Sequence, residues 1–178
     1  MSLITVKDKQ FKSHIASSKI EEVVKGMALK MNSDLKNEFP VFLVVLNGAF
    51  MFASDLLKEI TIESEISFVK VSSYSGTASA GIVTELIGLT ENVSDRTVVV
   101  IEDIVDSGVT IERIVKVLED KKVKQYKIAT ALLKPQSYSG KIKIDYKGFD
   151  IPNDFVVGYG MDYEGLGRNL KDIYILAN

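Results

Sequence analysis

Three acidic and two hydroxyl side chains occur together in one short stretch of the chain. The carboxylates Glu102 and Asp103 directly follow an apolar run, and after two more apolar residues comes Asp106-Ser107-Gly108-Val109-Thr110. Hydroxyl groups and inward-turned backbone N–H groups can hold a phosphate without a cationic side chain. The stretch therefore indicates a phosphate-binding loop that begins beside a pair of carboxylates.

The elements on either side of this stretch favour the same interpretation. Residues 98–101 predict a buried strand, and residues 111–118 have helical spacing. Ligands of open α/β sheets lie beyond the carboxyl ends of the strands, and the positive end of a following helix attracts anions. Gly108 tolerates the dihedral angles that turn N–H groups inward. An isolated Asp-x-Gly-x-Thr is more often a helix N-cap, but the strand, the paired acids and the helix together favour phosphate binding.

Apolar periodicity along the rest of the chain predicts alternating strands and helices. The predicted strands are 41–46, 66–72, 97–101 and 127–133, and the predicted helices are 20–35, a short one near 52–57 and 111–118. Ser18-Lys19-Ile20-Glu21 has the spacing of a capping box. Residues 73–81 are mostly small and polar, which predicts a mobile loop. Buried strands that alternate with helices indicate an α/β protein with a mainly parallel sheet flanked by helices.

Composition limits the class of protein. The chain has 178 residues, no cysteine and a formal net charge of -2, which predicts one globular domain without disulfides or thiolate metal sites. A slightly acidic chain has no general electrostatic reason to bind nucleic acid or an anionic membrane. No apolar run has the length of a membrane span and the first residues lack the pattern of a signal peptide, so we expect a cytoplasmic location.

The stretch from Val98 to Thr110 resembles the phosphoribosyl pyrophosphate signature of type I phosphoribosyltransferases. That pattern is four apolar residues, two acids, two apolar residues and then Asp-Ser/Thr-Gly-x-Thr. The resemblance implies that Glu102 and Asp103 contact the ribose hydroxyls, directly or through Mg²⁺, and that loop 106–110 holds the 5′-phosphate. It also implies the type I fold, in which a twisted, mainly parallel sheet flanked by helices carries a small hood from the chain ends. We expect the core at about 37–135 and the hood in the N-terminal segment and about 136–178.

Further motifs resemble the hypoxanthine-guanine phosphoribosyltransferases, most closely the bacterial members. Leu132-Leu133-Lys134-Pro135 ends a predicted strand, residues 148–163 and 168–170 follow in the family's order, and the resemblance covers about 41–175. It implies transfer of the 5-phosphoribosyl group from phosphoribosyl pyrophosphate to hypoxanthine or guanine, giving IMP or GMP and pyrophosphate. The implied contacts are the purine 6-oxo group for Lys134, the purine ring for Phe155, the base edge for the Val156 backbone, Mg²⁺, pyrophosphate and the guanine amino group for Asp162, pyrophosphate for Arg168, and closure over the reaction centre for Ser73 and Tyr74.

The chemistry of these side chains agrees with the implied roles. Lys134 has only donors, as an oxo group requires, and Phe155 offers an aromatic face to a flat base. Transfer at the anomeric carbon develops positive charge on the ribose, as in glycoside hydrolysis. The family equivalent of Asp106 acts as the base near purine N7, and we predict the same role here. Water must be excluded from the activated centre, which gives residues 73–81 the predicted role of a lid.

One position departs from the family pattern. Relatives usually end the strand before the pyrophosphate site with Leu-Lys-Gly or Leu-Arg-Gly, often with a cis peptide before the glycine, whereas this chain has Leu46-Asn47-Gly48. Asn47 and Gly48 are therefore predicted to form part of the pyrophosphate site without a cationic side chain from this loop.

Other classes of protein share parts of these motifs. A purine sensor or RNA-binding homologue would be expected to lose Lys134 or Asp106, or to carry a basic face, and this chain does neither. A receiver domain places acids at strand ends but gives no reason for Ser-Gly-x-Thr after them, and a uracil or orotate transferase would share only the phosphate loop. The family resemblance also implies a homodimer or homotetramer, and it leaves open the ranking of hypoxanthine, guanine and xanthine.

Overall fold

A computed structural model of the chain describes residues 3–75 and 82–177. The helices are α1 (Ser17–Asp34), α2 (Phe50–Lys58) and α3 (Val109–Asp120), and the strands are β1 (Leu3–Val6), β2 (Lys9–Ile15), β3 (Val41–Val45), β4 (Glu65–Ser75), β5 (Ile82–Ile87), β6 (Thr97–Val105), β7 (Gln125–Leu133), β8 (Tyr146–Asp150), β9 (Val156–Val157) and β10 (Ile173–Leu176). Within these ranges, none of the helices combines the length and the apolar character needed to span a bilayer.

Six strands form the main sheet, in the order β5-β4-β3-β6-β7-β8. Neighbouring strands run parallel, except that β5 pairs antiparallel with β4. The predicted mainly parallel sheet is therefore confirmed. Because β6 has a parallel neighbour on each side, its carboxyl end lies in the middle of the edge where ligands of α/β sheets bind.

Alternate residues of the interior strands pack against helices on opposite faces of this sheet. Phe42 and Val44 belong to the core cluster that includes α1 and α2, whereas Val41 and Leu43 belong to the cluster that includes α3. This alternation follows from the two-residue period of a strand. Since helices cover both faces, every residue of β3 is buried, as is usual for a parallel strand.

The chain ends form a second, smaller sheet. Its strands are antiparallel in the order β1-β2-β10-β9, and Val6, Phe11 and Val157 form a core of its own. This sheet is the hood predicted at the chain ends. Helix α1 packs its apolar face into the core under the main sheet, and β8 pairs with β7, so both belong to the main layer.

Two predicted element ends are corrected by contacts made at a distance in sequence. The capping box is wrong: α1 begins at Ser17, and the Ser17 N–H donates to Asp172 Oδ1 at 2.7 Å rather than to a side chain of its own first turn. The strand predicted to end at residue 101 continues to Val105, because its parallel ladder to β7 continues as far as Leu133. The acid pair thus lies within β6, not after it.

Candidate active site

Glu102 lies near the carboxyl end of β6 as a buried carboxylate. Its side chain is only 8% exposed, and Oε2 has no hydrogen-bond partner. Burial raises the pKa of Glu102 well above its usual range, and the neighbouring charge of Asp103 raises it further. A buried polar atom without a partner is uncommon in a folded protein and needs an explanation. Here it marks a place where a cation or a donor from a ligand would complete the site.

Asp103 faces the loop that was predicted to bind pyrophosphate. Burial raises the pKa of its carboxyl, and the N–H of Ile104, which donates to Asp103 Oδ1 at 2.9 Å, opposes that effect. A Cβ atom at Gly48 would lie 1.7 Å from Asp103 Oδ2. A side chain at position 48 would therefore displace the Asp103 carboxylate, against which the backbone of the loop lies directly.

The predicted phosphate loop forms a turn between β6 and α3. Gly108 has φ of 88°, in the left-handed region, and it immediately precedes the first residue of α3. A Cβ at this position would also lie 2.5 Å from the ring of Tyr138. Both the dihedral angle and the close contact require glycine. The loop encloses a hollow of about 80 Å³, whose lining is Glu102, Ile104, Val105, Asp106, Ser107, Gly108, Val109, Thr110 and Ile111.

Lys134 and Asp106 form an ion pair above the ends of β6 and β7. The distance from Lys134 Nζ to Asp106 Oδ2 is 2.7 Å, and the Lys134 side chain is 10% exposed against 52% for Asp106. The backbone N–H of Lys134 donates to the carbonyl of Val105 at 2.9 Å, which fixes the lysine against β6. The predicted base and the predicted 6-oxo donor are therefore neighbours at one point of the sheet edge.

A second, larger cleft of about 260 Å³ brings together all four predicted purine-binding residues. Its lining is Asp103, Ile104, Asp106, Lys134, Phe155, Val156, Met161 and Asp162. Ile104 and Met161 were not predicted to belong to the site. No local signal in the sequence identifies them, because successive side chains of a strand point to opposite faces and their place in the lining depends on how distant segments pack.

Phe155 offers a partly free aromatic face, since its side chain is 45% exposed. The hood holds the ring from the other side. Tyr163 packs edge-on at 5.9 Å between ring centroids, and the fully buried Phe11 of β2 packs at 6.3 Å. Edge-to-face arrangements of this kind are favourable for aromatic rings. The exposed face is thus fixed in direction by residues that come from both ends of the chain.

The predicted pyrophosphate residues form a group beside this cleft. Arg168 Nη2 lies 2.6 Å from Asp162 Oδ1, and Arg168 Nη1 donates to the carbonyl of Gly160 at 2.8 Å. Asn47 is exposed. The cis peptide bond of this loop joins Leu46 to Asn47, one residue earlier than the position before Gly48 that the family pattern predicted.

The predicted lid falls mostly outside the described residues. Strand β4 continues to Ser75, three residues beyond the predicted end, because it pairs antiparallel with β5. Ser73 and Tyr74 are therefore strand positions, paired with Thr84 and Val83. Residues 76–81 and the side chains of 72–87 lie outside what the structure describes.

The carboxylates do not form a complete metal cage by themselves. In the described ranges, no group of three or more His, Cys, Asp or Glu side chains is arranged to hold a metal ion. Mg²⁺ commonly binds through one or two protein carboxylates together with substrate phosphates and water. Glu102, whose Oε2 is unpartnered, and the adjacent Asp103 fit that mode of binding, whereas a site made only of protein ligands does not fit.

Two comparisons with known proteins agree on one family. The phosphoribosyl transferase domain matches residues 14–164. The hypoxanthine-guanine phosphoribosyltransferase of Bacillus subtilis (strain 168) is 40% identical over 163 residues, which are 91% of this chain and 91% of that protein. The bifunctional protein TilS/HprT of Listeria monocytogenes serotype 4b (strain F2365) is also 40% identical over 91% of this chain, and the match spans 25% of its length.

A solved structure agrees with the sequence relatives. A hypoxanthine-guanine phosphoribosyltransferase of Bacillus anthracis superposes with a TM-score of 0.82 at 33% identity, over 94% of this chain and 97% of that chain. The family model, the sequence relatives and the solved structure each match most of the chain. This chain therefore belongs to the phosphoribosyltransferase family and, within it, to the hypoxanthine-guanine phosphoribosyltransferases.

Proposed function

We propose that this chain transfers the 5-phosphoribosyl group from phosphoribosyl pyrophosphate to hypoxanthine or guanine, giving IMP or GMP and pyrophosphate. One observation carries the proposal. A single cleft brings Lys134 and Phe155, which suit a 6-oxopurine, beside Asp106 at the entrance to the phosphate loop. A purine in this cleft would lie next to a ribose whose 5′-phosphate occupies the hollow of loop 106–110.

Base selection follows from hydrogen-bond chemistry. The Lys134 ammonium has three donors and no acceptor, so it can hold Asp106 and the purine O6 at the same time. It cannot accept from the 6-amino group of adenine. Phe155 stacks on the ring, and the backbone of Val156, which is buried at the edge of the cleft, offers polar groups to the base edge. The site is therefore built for a 6-oxopurine.

The transfer step exchanges two bonds at the anomeric carbon. The bond to the pyrophosphate oxygen breaks and the bond to the purine nitrogen forms, while the ribose carries positive charge in the transition state. Asp106 accepts the imidazole proton of the purine, near N7. Its carboxylate is held for this purpose by Lys134 at 2.7 Å. Glu102 and Asp103 supply negative charge close to the ribose.

The departing pyrophosphate is bound on the side opposite the purine. We propose that Arg168 and the backbone N–H of Gly48 hold its oxygens, with Asn47 as a neutral donor. Mg²⁺ would bind through one or two of the carboxylates Glu102, Asp103 and Asp162, together with pyrophosphate oxygens and water, and would neutralise charge on the leaving group when bound. The roles of Ser73 and Tyr74 as parts of a lid stay predictions from the sequence. A cytoplasmic location without nucleic-acid or membrane partners also stays a prediction.

We also propose that the chain associates as a homodimer or homotetramer. Large apolar side chains on α2 and β4 support association: Phe50, Ile66 and Phe68 are 39%, 48% and 50% exposed. These three residues line one surface pocket. Exposed apolar patches of this kind often lie in protein interfaces. Sedimentation of the wild-type chain across a range of concentrations would test the proposal, and a single monomeric species throughout would contradict it.

An assay of pyrophosphate release tests the proposed function directly. The wild-type chain is incubated with phosphoribosyl pyrophosphate and Mg²⁺, and hypoxanthine, guanine, xanthine, adenine, uracil or orotate is added in separate reactions. We expect release with hypoxanthine or guanine, none with adenine or the pyrimidines, and loss of release when Mg²⁺ is chelated. Release with uracil or orotate would contradict the proposal. So would the absence of release with every base in the panel.

A further inference from the structure

The turn at residues 158–161 connects the hood to the pyrophosphate side of the site. Its ends are joined by two backbone hydrogen bonds, from Gly158 N–H to the Met161 carbonyl at 3.0 Å and from Met161 N–H to the Gly158 carbonyl at 3.1 Å. Gly158, Tyr159 and Gly160 have φ of 99°, 50° and 100°, all in the left-handed region. Tyr159 is thus a non-glycine residue in a conformation that side chains of its kind rarely adopt. Such a conformation persists where surrounding contacts fix it.

Gly160 touches both of the groups proposed to hold pyrophosphate. A Cβ atom on Gly160 would lie 1.9 Å from the carbonyl oxygen of Gly48. The Gly160 N–H donates to the Arg168 carbonyl at 2.9 Å, and its carbonyl accepts from Arg168 Nη1 at 2.8 Å. A shift of this turn would therefore move the guanidinium and the loop at Gly48 relative to each other.

Tyr159 ties the same turn to helix α2. The side chain is 3% exposed, and its hydroxyl donates to Asp55 Oδ2 at 3.0 Å. The other oxygen of Asp55 lies 2.8 Å from Lys58 Nζ. Burial, together with the Asp55 charge, raises the pKa of the Tyr159 hydroxyl. The backbone N–H of Tyr159 is also held, by the Leu170 carbonyl at 2.8 Å.

We infer that Tyr159 is a positioning residue for the pyrophosphate end of the reaction. Through its hydrogen bond to Asp55, it fixes the turn against α2. The turn in turn fixes Gly160 between the Gly48 carbonyl and Arg168. The inference rests on the proposed function, since it assigns Tyr159 to one subsite of that reaction. The proposed donor to the purine O6, Lys134, follows β7 on a distant segment and is held by the Val105 carbonyl, so it does not depend on this anchor.

A matched pair of variants tests the inference. Tyr159→Phe keeps the ring and removes the donor. Tyr146→Phe is its control. Tyr146 lies on strand β8 at the edge of the main sheet and is 2% exposed. Its hydroxyl donates to Asp34 Oδ2 on α1 at 3.1 Å, so the same kind of bond is removed at a distance from the site. The measurements are the inhibition constant of pyrophosphate, the KM values of both substrates, kcat and the melting temperature.

We expect Tyr159→Phe to raise the pyrophosphate inhibition constant and the KM of phosphoribosyl pyrophosphate by about threefold to tenfold, because small displacements of binding groups have effects of at least this size. The KM of hypoxanthine should change by less than about twofold on the same argument. Tyr146→Phe should lower the melting temperature to a similar degree and leave both kinetic constants unchanged.

Variants of the acceptor provide a second, independent readout. Asp55→Asn keeps a carbonyl oxygen that can accept from Tyr159, whereas Asp55→Ala leaves the buried hydroxyl without a partner; both remove the charge beside Lys58. We expect Asp55→Ala to reproduce the effect of Tyr159→Phe and Asp55→Asn to retain pyrophosphate inhibition near the wild-type value. If Tyr159→Phe does not fold, this pair of variants still tests whether the hydrogen bond from Tyr159 to Asp55 positions the pyrophosphate site.

The outcomes separate this inference from the proposed function. A wild-type chain without transfer to any 6-oxopurine would contradict the proposed function. With an active wild-type chain, the inference is wrong if Tyr159→Phe and Tyr146→Phe have equal effects, or if the hypoxanthine KM rises as much as the pyrophosphate inhibition constant. It is equally wrong if Asp55→Asn and Asp55→Ala do not differ.

Discussion

Two glutamates, one within β6 near its carboxyl end and one that contacts its amino end from the segment before β3, are in opposite electrostatic states. At the carboxyl end, Glu102 is buried with Oε2 unpartnered, and burial raises its pKa. At the amino end, Glu38 accepts from Thr97 Oγ1 at 2.6 Å and from Lys124 Nζ at 2.8 Å, and these bonds, that of Lys124 first, lower its pKa. A fold normally satisfies its polar groups, as it does at the amino end. The unsatisfied carboxylate lies at the end of the strand where we propose that a ligand binds.

This difference also bears on stability. An unpartnered buried carboxylate destabilises the folded chain until a ligand compensates it, whereas the network around Glu38 needs no ligand. Proteins often retain such local cost at functional sites. A substitution of Glu102 should therefore lower activity and raise stability, whereas a substitution of Glu38 should lower stability and leave activity nearly unchanged.

The largest expected effect is at Asp106, beyond the carboxyl end of β6. Asp106→Asn keeps an oxygen that can accept from Lys134 but removes the base, so transfer should fall by roughly 10²–10⁴-fold while substrate binding persists. Asp150→Asn is the control. Asp150 is the last residue of β8, and its Oδ2 lies 2.7 Å from Lys147 Nζ, so it pairs with a lysine as Asp106 does. Single-turnover rates and equilibrium binding of hypoxanthine would distinguish the two variants. A wild-type rate in Asp106→Asn would show that another group takes the proton.

Glu102→Gln should reduce activity and increase stability at once. The pKa of Glu102 is raised in the folded chain, so the wild-type protein loses stability as pH rises from the ordinary glutamate pKa through the raised one. Gln cannot ionise and escapes that loss. We expect the free energy of unfolding of the ligand-free variant to exceed that of wild type by about 0.5–2 kcal/mol near neutral pH. This difference should increase with pH. Removal of a group that supports a bound cation should weaken Mg²⁺-dependent substrate binding by roughly 10–100-fold.

Urea unfolding at pH 5 and pH 8.5, without ligand, measures the stability part of this prediction. Titration with phosphoribosyl pyrophosphate and Mg²⁺ measures the binding part. A variant that is less stable than wild type at pH 8.5 would show that Glu102 is already compensated within the protein.

The sequence predicted the local geometry of residues 102–110 better than it predicted contacts between distant segments. Residues 102–110 could be assigned because strand, acids and glycine follow one another locally, and Gly108 has the left-handed φ that the pattern requires. The cap of α1 could not be assigned, since its acceptor is Asp172, 155 positions away. The same holds for the ion pair of Lys134 with Asp106 and for the bond from Tyr159 to Asp55, both of which depend on how distant segments pack.

Asn47→Lys tests a smaller effect at the carboxyl edge of the sheet. A hydrogen bond to a charged group contributes roughly 1.5–3 kcal/mol against about 1 kcal/mol for a neutral one, and the exposure of Asn47 reduces the difference through screening. The variant should bind pyrophosphate several-fold more tightly, more so at low salt. Asn92→Lys adds the same charge at an exposed position on the segment that leads into the amino end of β6. The pyrophosphate inhibition constant of both variants at two ionic strengths is the measurement, and equal values for the two would mean that position 47 does not reach the site.

The smallest effect is expected at the amino end of β6, from Glu38→Gln. Gln can still accept from Thr97 but loses the charge that pairs with Lys124, so kcat/KM should stay within about twofold of wild type. The lowered pKa of Glu38 means that its contribution to stability is present above the ordinary glutamate pKa and is lost as pH falls through the lowered one. Wild type should therefore melt slightly above the variant at pH 7, and the two should converge near pH 3. Glu102→Gln has the opposite sign at neutral pH, because its wild-type carboxylate is destabilising there. Melting curves of both variants across this pH range test the contrast, and two shifts of the same sign would mean that the glutamates do not differ as their surroundings indicate.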